Sequence, residues 1–372
     1  MTTAPPYALA RFRQTGDRTD PDAVTGEVIG HEPATLGLVV GEHIRPLRAE
    51  ELGAPSLNAF LADPDWPRLE HLAEDAPQNS NSTEAASQVH SSATAEVAGD
   101  VTAGVTAGWR PLDSVELTAP VEPRQVLQTG ANYREHVIEL VASGLTNNAG
   151  FSPDNAKEKA AEMMDDRAAN GEPYIFIGLP ACVAGPEEPL VLPSSSDTHD
   201  WELELAAVIG RPAYRVSRED ALDHVAGYTI CNDVSTREYT FRADMKDIGS
   251  DWFRSKNSPG FLPTGPFLVP APFIDPTQAH LRLDLNGETK QDASTADLMF
   301  DLAALLSAAS QTARLLPGDL LLTGSPAGNG QHWRRFLHDG DVLEGTISGL
   351  GTQVVRCTAA VTAVSTTGGA QR

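Results

Sequence analysis

Acidic residues at alternate positions give the first chemical signal in this sequence. In Asp200-Trp201-Glu202-Leu203-Glu204-Leu205 the acids at 202 and 204 alternate with apolar residues, and Ala207 and Ile209 continue the apolar set. Successive side chains of a strand point to opposite faces, so Glu202 and Glu204 share one face, roughly 7 Å apart. Like charges that close repel each other, and a divalent cation would remove the repulsion. Taken alone, the pair reads as the polar face of a half-exposed strand. Asp233, ending a second apolar run over 228–234, adds a third carboxylate and turns the reading towards an ion site. Oxygen donors without His or Cys suit a hard ion, Mg²⁺ or Mn²⁺, and three ligands leave room for water and a bidentate substrate. His199 and Asp200 adjoin the set as extras, His199 reading as a loop residue.

Three further groups could join such a site. His136 and Glu139 stand i, i+3 near the start of an expected helix, close enough to pair. The helix N-terminus disfavours imidazolium while a carboxylate favours it, which leaves a histidine able to take and return a proton near neutral pH. In isolation the two read as a surface ion pair. Lys256 is one of five lysines and sits in Ser255-Lys256-Asn257-Ser258-Pro259-Gly260, a rigid Gly/Pro-rich segment of the kind that carries functional groups. Thr323-Gly324-Ser325-Pro326-Ala327-Gly328-Asn329-Gly330 follows an apolar strand. It lacks the lysine of a phosphate loop and the spacing of a dinucleotide fingerprint, but its backbone N–H groups and two hydroxyls could hold a carboxylate. No GxSxG occurs, and Cys182, Cys231 and Cys357 have no nucleophile motif, no CxxC and an odd total.

The elements that must position these groups can be read in outline. Residues 1–75 form a small α+β unit, with a hairpin over 35–47 and short helices over 57–61 and 66–72. Residues 76–108, rich in Ser, Thr, Ala and Gly, read as a flexible linker or insertion. The region 109–372 is dense in strands. Asn132 is expected to cap a helix to about 142, with Glu135 in capping-box position. An excursion over 145–172 carries a charged helix, 156–170, whose thin apolar stripe is Ala160, Met163 and Met164; it reads either as a lid that closes over substrate or as a fixed peripheral helix. Strands are expected at 125–130, 174–177, 201–209, 228–234 and 320–323, with helices over 218–225 and 295–313, and Asn286-Gly287 marks a hairpin turn. With 27 Lys+Arg against 51 Asp+Glu in 372 residues, a net charge of −24 argues against nucleic acid or an anionic membrane as partner. The absence of a membrane-length apolar run and of a signal sequence, with so few cysteines, gives a cytoplasmic protein as the expectation.

The ordered motifs GANYREH, DWELELAAVIG, AGYTICNDVSTRE, RSKNSPGFLPTGPFLV and PGDLLLTGSPAGNG resemble the fumarylacetoacetate hydrolase family over about residues 120–364. The resemblance implies a β-rich α+β fold, a roll of mixed sheets, with a small N-terminal α+β domain, and a homodimer. It implies that Glu202, Glu204 and Asp233 bind Mg²⁺ or Mn²⁺, that His136 and Glu139 form a catalytic dyad, and that Lys256 is the active-site lysine. Thr323, Gly324 and Ser325, with Tyr133 and Arg237, are the implied substrate-binding groups. Three departures stand out: Ser325 replaces a threonine, Phe176-Ile177-Gly178-Leu179-Pro180 stands where many members carry a lysine before the proline, and the excursion 145–172 is longer than usual.

The residues and the resemblance together imply cleavage of a C–C bond in a small carboxylate or diketone substrate, a 1,3-diketo or acylpyruvate-type 2-oxo acid. Two oxygens would chelate the ion, which stabilises the enolate; His136, oriented by Glu139, would activate water, and Lys256 would stabilise an oxyanion. Isomerase or tautomerase chemistry, or decarboxylation, would use the same groups. A non-catalytic binding protein on the same scaffold is the remaining alternative.

Overall fold

The run Leu-Glu-Leu-Ala-Ala-Val-Ile over 203–209 is apolar at every position but one, which suits a central strand covered on both faces. In the computed structural model, which describes residues 4–14, 34–77, 108–245 and 249–360, it forms the buried strand Leu203–Ile209. Its six-stranded sheet runs in the order Val269–Pro270, Val225–Asn232, Leu203–Ile209, Leu320–Leu322, Val126–Gly130, Tyr174–Gly178. The pair Leu320–Leu322 and Val126–Gly130 is parallel and the other pairs are antiparallel.

Each face of the central strand meets another sheet. Leu203, Leu205 and Ala207 share a core with Leu281, Leu283, Leu343 and Val355. Those belong to the sheet Glu288–Ser294, His280–Leu285, Val342–Ile347, Gly351–Ala359, Leu190–Leu192. Asn286 and Gly287 make its hairpin turn with φ of 54° and 80°, both left-handed as such a turn requires. Ala206 and Val208 pack instead with Tyr7, Leu9 and Leu38. Leu9 and Leu38 belong to the N-terminal sheet, which Tyr7 directly precedes, ordered Arg110–Pro111, His43–Pro46, Thr35–Val40, Ala8–Gln14, Val115–Thr118. The fold is β-rich α+β, as expected. The strands over 110–118 complete the N-terminal sheet, so the expected domain boundary at 109 cuts through it; most of the linker expected over 76–108 lies outside the described residues.

Asp319 ties the parallel strands together. Its buried carboxylate accepts from the backbone N–H of Arg124 (3.2 Å), Gln125 (3.0 Å) and Leu316 (2.8 Å), and from Gln125 Nε2 (2.6 Å). A turn residue in the sequence is thus the clamp that sets the start of two site-bearing strands.

Local expectations change in several places. The helix Arg134–Ala149 is longer than expected and begins after Tyr133; its N-terminal amide at Glu135 is capped from a distance by Asp297 Oδ2 at 3.1 Å. Asn132 is therefore no cap. Its amide donates to Phe300 O (3.0 Å) and Thr323 O (2.8 Å) and its oxygen accepts from Phe300 N (3.0 Å), which pins the helix entrance to the loop after Leu322. The expected helix over 218–225 shrinks to the 3₁₀ turn Ala221–His224.

The helix Pro153–Asn170 settles the use of the apolar stripe. Ala160 and Met164 are buried against Val137 and Ile138 of Arg134–Ala149, while Met163 is 43% exposed. Arg134 pairs with Asp165 at 2.7 Å, and Arg167 donates to Ala131 O at 2.8 Å. The Ala160 and Met164 part of the stripe thus lies on the neighbouring helix, and Met163 is turned outward.

Two outcomes follow from this packing. Amides over 156–164 should exchange slowly without any ligand, by hydrogen-exchange mass spectrometry; fast exchange there would mean the helix is not docked. Asp319→Ala, which strands four donors, should cost about 3 kcal/mol in urea unfolding, with Asp319→Asn intermediate.

Candidate active site

Antiparallel register assembles the acids. Leu203 pairs with Asn232 and Glu204 with Cys231, so Glu202 and Asp233 lie opposite each other just past the strand ends. Asp233 N donates to Glu202 O at 2.8 Å. One carboxylate oxygen from each of Glu202, Glu204 and Asp233 lies within 4.8 Å of the others, a triad that could hold a metal ion. Glu204 and Asp233 are buried and Glu202 nearly so.

Two cations and an amide hold the triad. Lys256, at the end of the short helix Trp252–Lys256, is buried; its Nζ donates to Glu202 Oε2 at 2.7 Å and to Asp233 Oδ2. Arg237 bridges Asp200 Oδ2 (Nε, 2.6 Å) and Glu202 Oε1 (Nη2, 2.5 Å). Gln128 Nε2 donates to Asp233 Oδ1 at 2.5 Å. Four carboxylates, at 200, 202, 204 and 233, thus face two cations. If all were ionised, the cluster would carry −2, the charge one divalent ion balances. Two buried polar atoms beside it, Gln128 Oε1 and Tyr133 Oη, have no hydrogen-bond partner among the described residues. The all-oxygen donor set, the charge deficit and these orphaned atoms fit a hard divalent cation with its own water or ligand oxygens.

The electrostatics follow the same geometry. Burial would raise Glu202, but Arg237 and Lys256 hold it down, to about 2. Burial raises Glu204 well above the carboxylate range, and Asp233 adds to the rise. Asp233 is pushed up to about 6 by burial, with Lys256 opposing. Burial works against the Lys256 ammonium, yet Asp233 and Glu202 more than restore it, so it stays charged.

The remaining expected residues fall into place unevenly. His136, half-buried, has its pKa lowered by burial; Glu202 opposes, while Arg237 and His332 add to the lowering. The expected His136–Glu139 pair is not formed: no hydrogen bond joins them among the described residues. Glu139 is exposed, and its Oε2 lies 3.5 Å from His332 Nδ1. Tyr133 is fully buried beside Glu204. Arg237 is engaged by carboxylates of the protein itself. Thr323 Oγ1 donates to Leu205 O at 3.0 Å, Gly324 N to Glu204 Oε2 at 2.7 Å, and Ser325 Oγ accepts from Gln291 Nε2 at 2.9 Å. The loop expected to offer Gly324 N–H to a substrate instead uses it to hold Glu204. Asp200 is a support rather than a ligand, accepting from Trp201 N (2.8 Å), Gln331 N (3.1 Å), Gly330 N and Arg237. His199, expected in a loop, is buried between Thr236 Oγ1 (3.0 Å) and Pro193 O (2.9 Å).

Gln128 and His332 are site residues that sequence reasoning missed. Gln128 shares a strand face with Val126 in the segment QVLQTG and is polar there, which was a usable signal. His332 has none: only the fold brings the short helix Gly330–Trp333, capped by Asn329, beside Glu139.

The family model described as Fumarylacetoacetate (FAA) hydrolase C-terminal matches residues 125–358. Oxaloacetate tautomerase fahd2, mitochondrial, of Xenopus laevis is 34% identical over 64% of this chain and 67% of that protein. A 2,4-didehydro-3-deoxy-L-rhamnonate hydrolase of Sphingomonas sp. is 39% identical over 49% of this chain and 64% of its own length. The crystal structure of 2-hydroxyhepta-2,4-diene-1,7-dioate isomerase from Mycobacterium marinum superposes with a TM-score of 0.60 and 26% identity, covering 95% of this chain and 99% of that one.

The double bridge of Arg237 is the testable element of this geometry. Arg237→Ala leaves Asp200 and Glu202 buried without their shared partner and should destabilise the protein by about 3 kcal/mol or more. Urea unfolding checks this; a loss under 1 kcal/mol (~ the worth of an exposed pair) would contradict it.

Proposed function

The chain belongs to the fumarylacetoacetate hydrolase family, and from that footing we propose that it is a divalent-metal-dependent hydrolase of C–C bonds in acylpyruvate-type 2-oxo acids. The observation that carries the proposal is the buried all-oxygen triad Glu202, Glu204 and Asp233, beside Lys256 and His136. A Mg²⁺ or Mn²⁺ ion bound there supplies Lewis-acid stabilisation of the negative charge that develops on substrate oxygens.

The protein's own groups do the rest. His136, kept neutral by burial, takes a proton from water as the hydroxide adds to the distal carbonyl carbon. The C–C bond breaks with its electron pair left on the 2-oxo acid fragment. His136 returns the proton to that carbon, and an acid and a 2-oxo acid leave. Lys256, fixed between Glu202 and Asp233, keeps a positive charge where the substrate becomes more negative. Tyr133 Oη supplies a buried hydroxyl without a partner at the same place.

A second reading is tautomerase or isomerase, and one observation favours it. Glu139 is turned to His332, so His136 lacks the carboxylate that would support water activation, whereas moving one proton between carbon and oxygen needs only a neutral imidazole. The names of the relatives span both reactions. A turnover panel of acylpyruvates, oxaloacetate and unsaturated 2-oxo diacids, with Mg²⁺, Mn²⁺ or chelator, separates them. Release of two carboxylic products supports the hydrolase; isomer exchange without cleavage supports the second reading.

Chelation should abolish turnover and Mg²⁺ or Mn²⁺ should restore it, while full activity under chelator would sink the ion's role. At 100-fold over its Kd the ion should add about 2.7 kcal/mol to stability. Glu204→Gln should fold and lose that increment, as calorimetry with and without Mg²⁺ would read.

The pH profile gives a separate check on His136. Its folded pKa lies below the ordinary 6.5, so the free base is present at neutral pH and is lost as pH falls through that lowered value. The acid limb of kcat/KM should therefore lie below pH 6.5. His136→Asn should lower kcat by about 10²–10⁴-fold and remove that limb; an active variant with the limb intact would point to another base.

A further inference from the structure

An aromatic wall stands on the rim of the acid triad. The strand Tyr174–Gly178 pairs antiparallel with Val126–Gly130, with Phe176 opposite Gln128 and Tyr174 opposite Gly130. Residues directly opposite in such a pair project from the same face. Phe176 and Tyr174 therefore stand on the face from which Gln128 reaches Asp233. Trp252 stacks on Phe176, with ring centroids 4.9 Å apart and planes 18° apart, and its Nε1 donates to Tyr174 Oη at 2.7 Å. Lys256 Nζ, the ammonium that bridges Glu202 and Asp233, lies 5.6 Å from the centroids of both Phe176 and Trp252. Glycine at 130 is required by this arrangement, because a Cβ there would lie 2.9 Å from Tyr174 Cδ1. Phe176 and Trp252 remain half-exposed and Tyr174 is 45% exposed.

This wall offers π-faces, and the two cations of the acid cluster are already paired. Lys256 is taken up by Glu202 and Asp233, and Arg237 by Asp200 and Glu202. A substrate tail ending in a second carboxylate would meet aromatic rings beside an acidic cluster. A flat, uncharged tail would stack on them, an arrangement worth about two- to tenfold in selectivity.

We propose that Phe176, Trp252 and Tyr174 are the specificity surface of the site, selecting 2-oxo acids whose distal substituent is an uncharged aromatic or conjugated group over those ending in a second carboxylate. The inference rests on the 2-oxo acid reading above. Its test is arranged so that the two can fail separately.

The full chain with Mg²⁺ is assayed on benzoylpyruvate and on an acylpyruvate of similar length ending in a carboxylate. In parallel, tryptophan fluorescence is titrated with phenylglyoxylate and with 2-oxoglutarate. The wild type should favour benzoylpyruvate in kcat/KM by about two- to tenfold. Phenylglyoxylate should quench a component of the fluorescence that is missing in Trp252→Phe, which keeps a ring. Phe176→Lys should reverse the preference, and Phe176→Leu, which keeps the apolar bulk, should lower the benzoylpyruvate rate alone. An unchanged ratio in folded Phe176→Leu, or quenching that survives Trp252→Phe, overturns the wall. So does a lower sedimentation coefficient for Phe176→Lys than for the wild type with the ratio unchanged, which would make the wall a contact between copies. Quenching through Trp252 by phenylglyoxylate alone, with no turnover of either substrate, supports the wall while overturning the proposed reaction.

Discussion

Burying Asp200, Glu202, Glu204 and Asp233 in one cluster is the constraint on which the rest of this structure depends. Each carboxylate taken out of water costs several kcal/mol unless it is paired and hydrogen-bonded. Arg237 and Lys256 meet part of that cost through short charged hydrogen bonds. Backbone amides meet more of it, from Gly324 on Glu204 and from Gly330 and Gln331 on Asp200. Much of the chain after Val126 can be understood as bringing these donors to one place: the antiparallel pair supplies the triad, the helix over 252–256 delivers Lys256, and the loop after Leu322 delivers the amides.

The supports are layered. Asn132 joins the start of the helix carrying His136 to Phe300 and to Thr323 O, immediately before the amide that holds Glu204. Asp319 fixes the strand that precedes that loop. The loop itself has little freedom: Gly328 has φ of 95°, and a Cβ there would lie 1.9 Å from Lys290 O. Movement of the helix over 134–149 would therefore be felt at Glu204 through Asn132, and movement of the helix over 153–170 would be felt through Val137 and Ile138. These contacts join the peripheral helices to the site.

How much of this could be read from the sequence depended on the range of the interaction. Glu202 and Glu204 were legible because strand alternation is local, and the hairpin at Asn286-Gly287 because its turn chemistry is contained in two residues. Asp233 was legible as a third acid, though its place opposite Glu202 comes from register. The capping of Arg134–Ala149 was misread, since Asn132 has the right chemistry locally but is drawn to Phe300 and Thr323, while Asp297 supplies the cap from 162 residues away. The His136–Glu139 pairing was misread for a similar reason: helical spacing allows it, but His332, invisible at sequence level, sits closer to the carboxylate. Met163 and Met164 are adjacent in sequence, and only the packed helix pair shows which faces inward.

The central claim is that the cluster is completed by a divalent cation, with Lys256 and Arg237 balancing only part of its charge. Diffraction from crystals soaked in Mn²⁺, with data at an energy where manganese scatters anomalously, tests this most directly. The account predicts one anomalous peak bounded by Glu202, Glu204 and Asp233, absent in crystals of Glu204→Gln treated identically. Crystals that show no peak there, with Lys256 still joining Glu202 to Asp233 at high Mn²⁺, would contradict it.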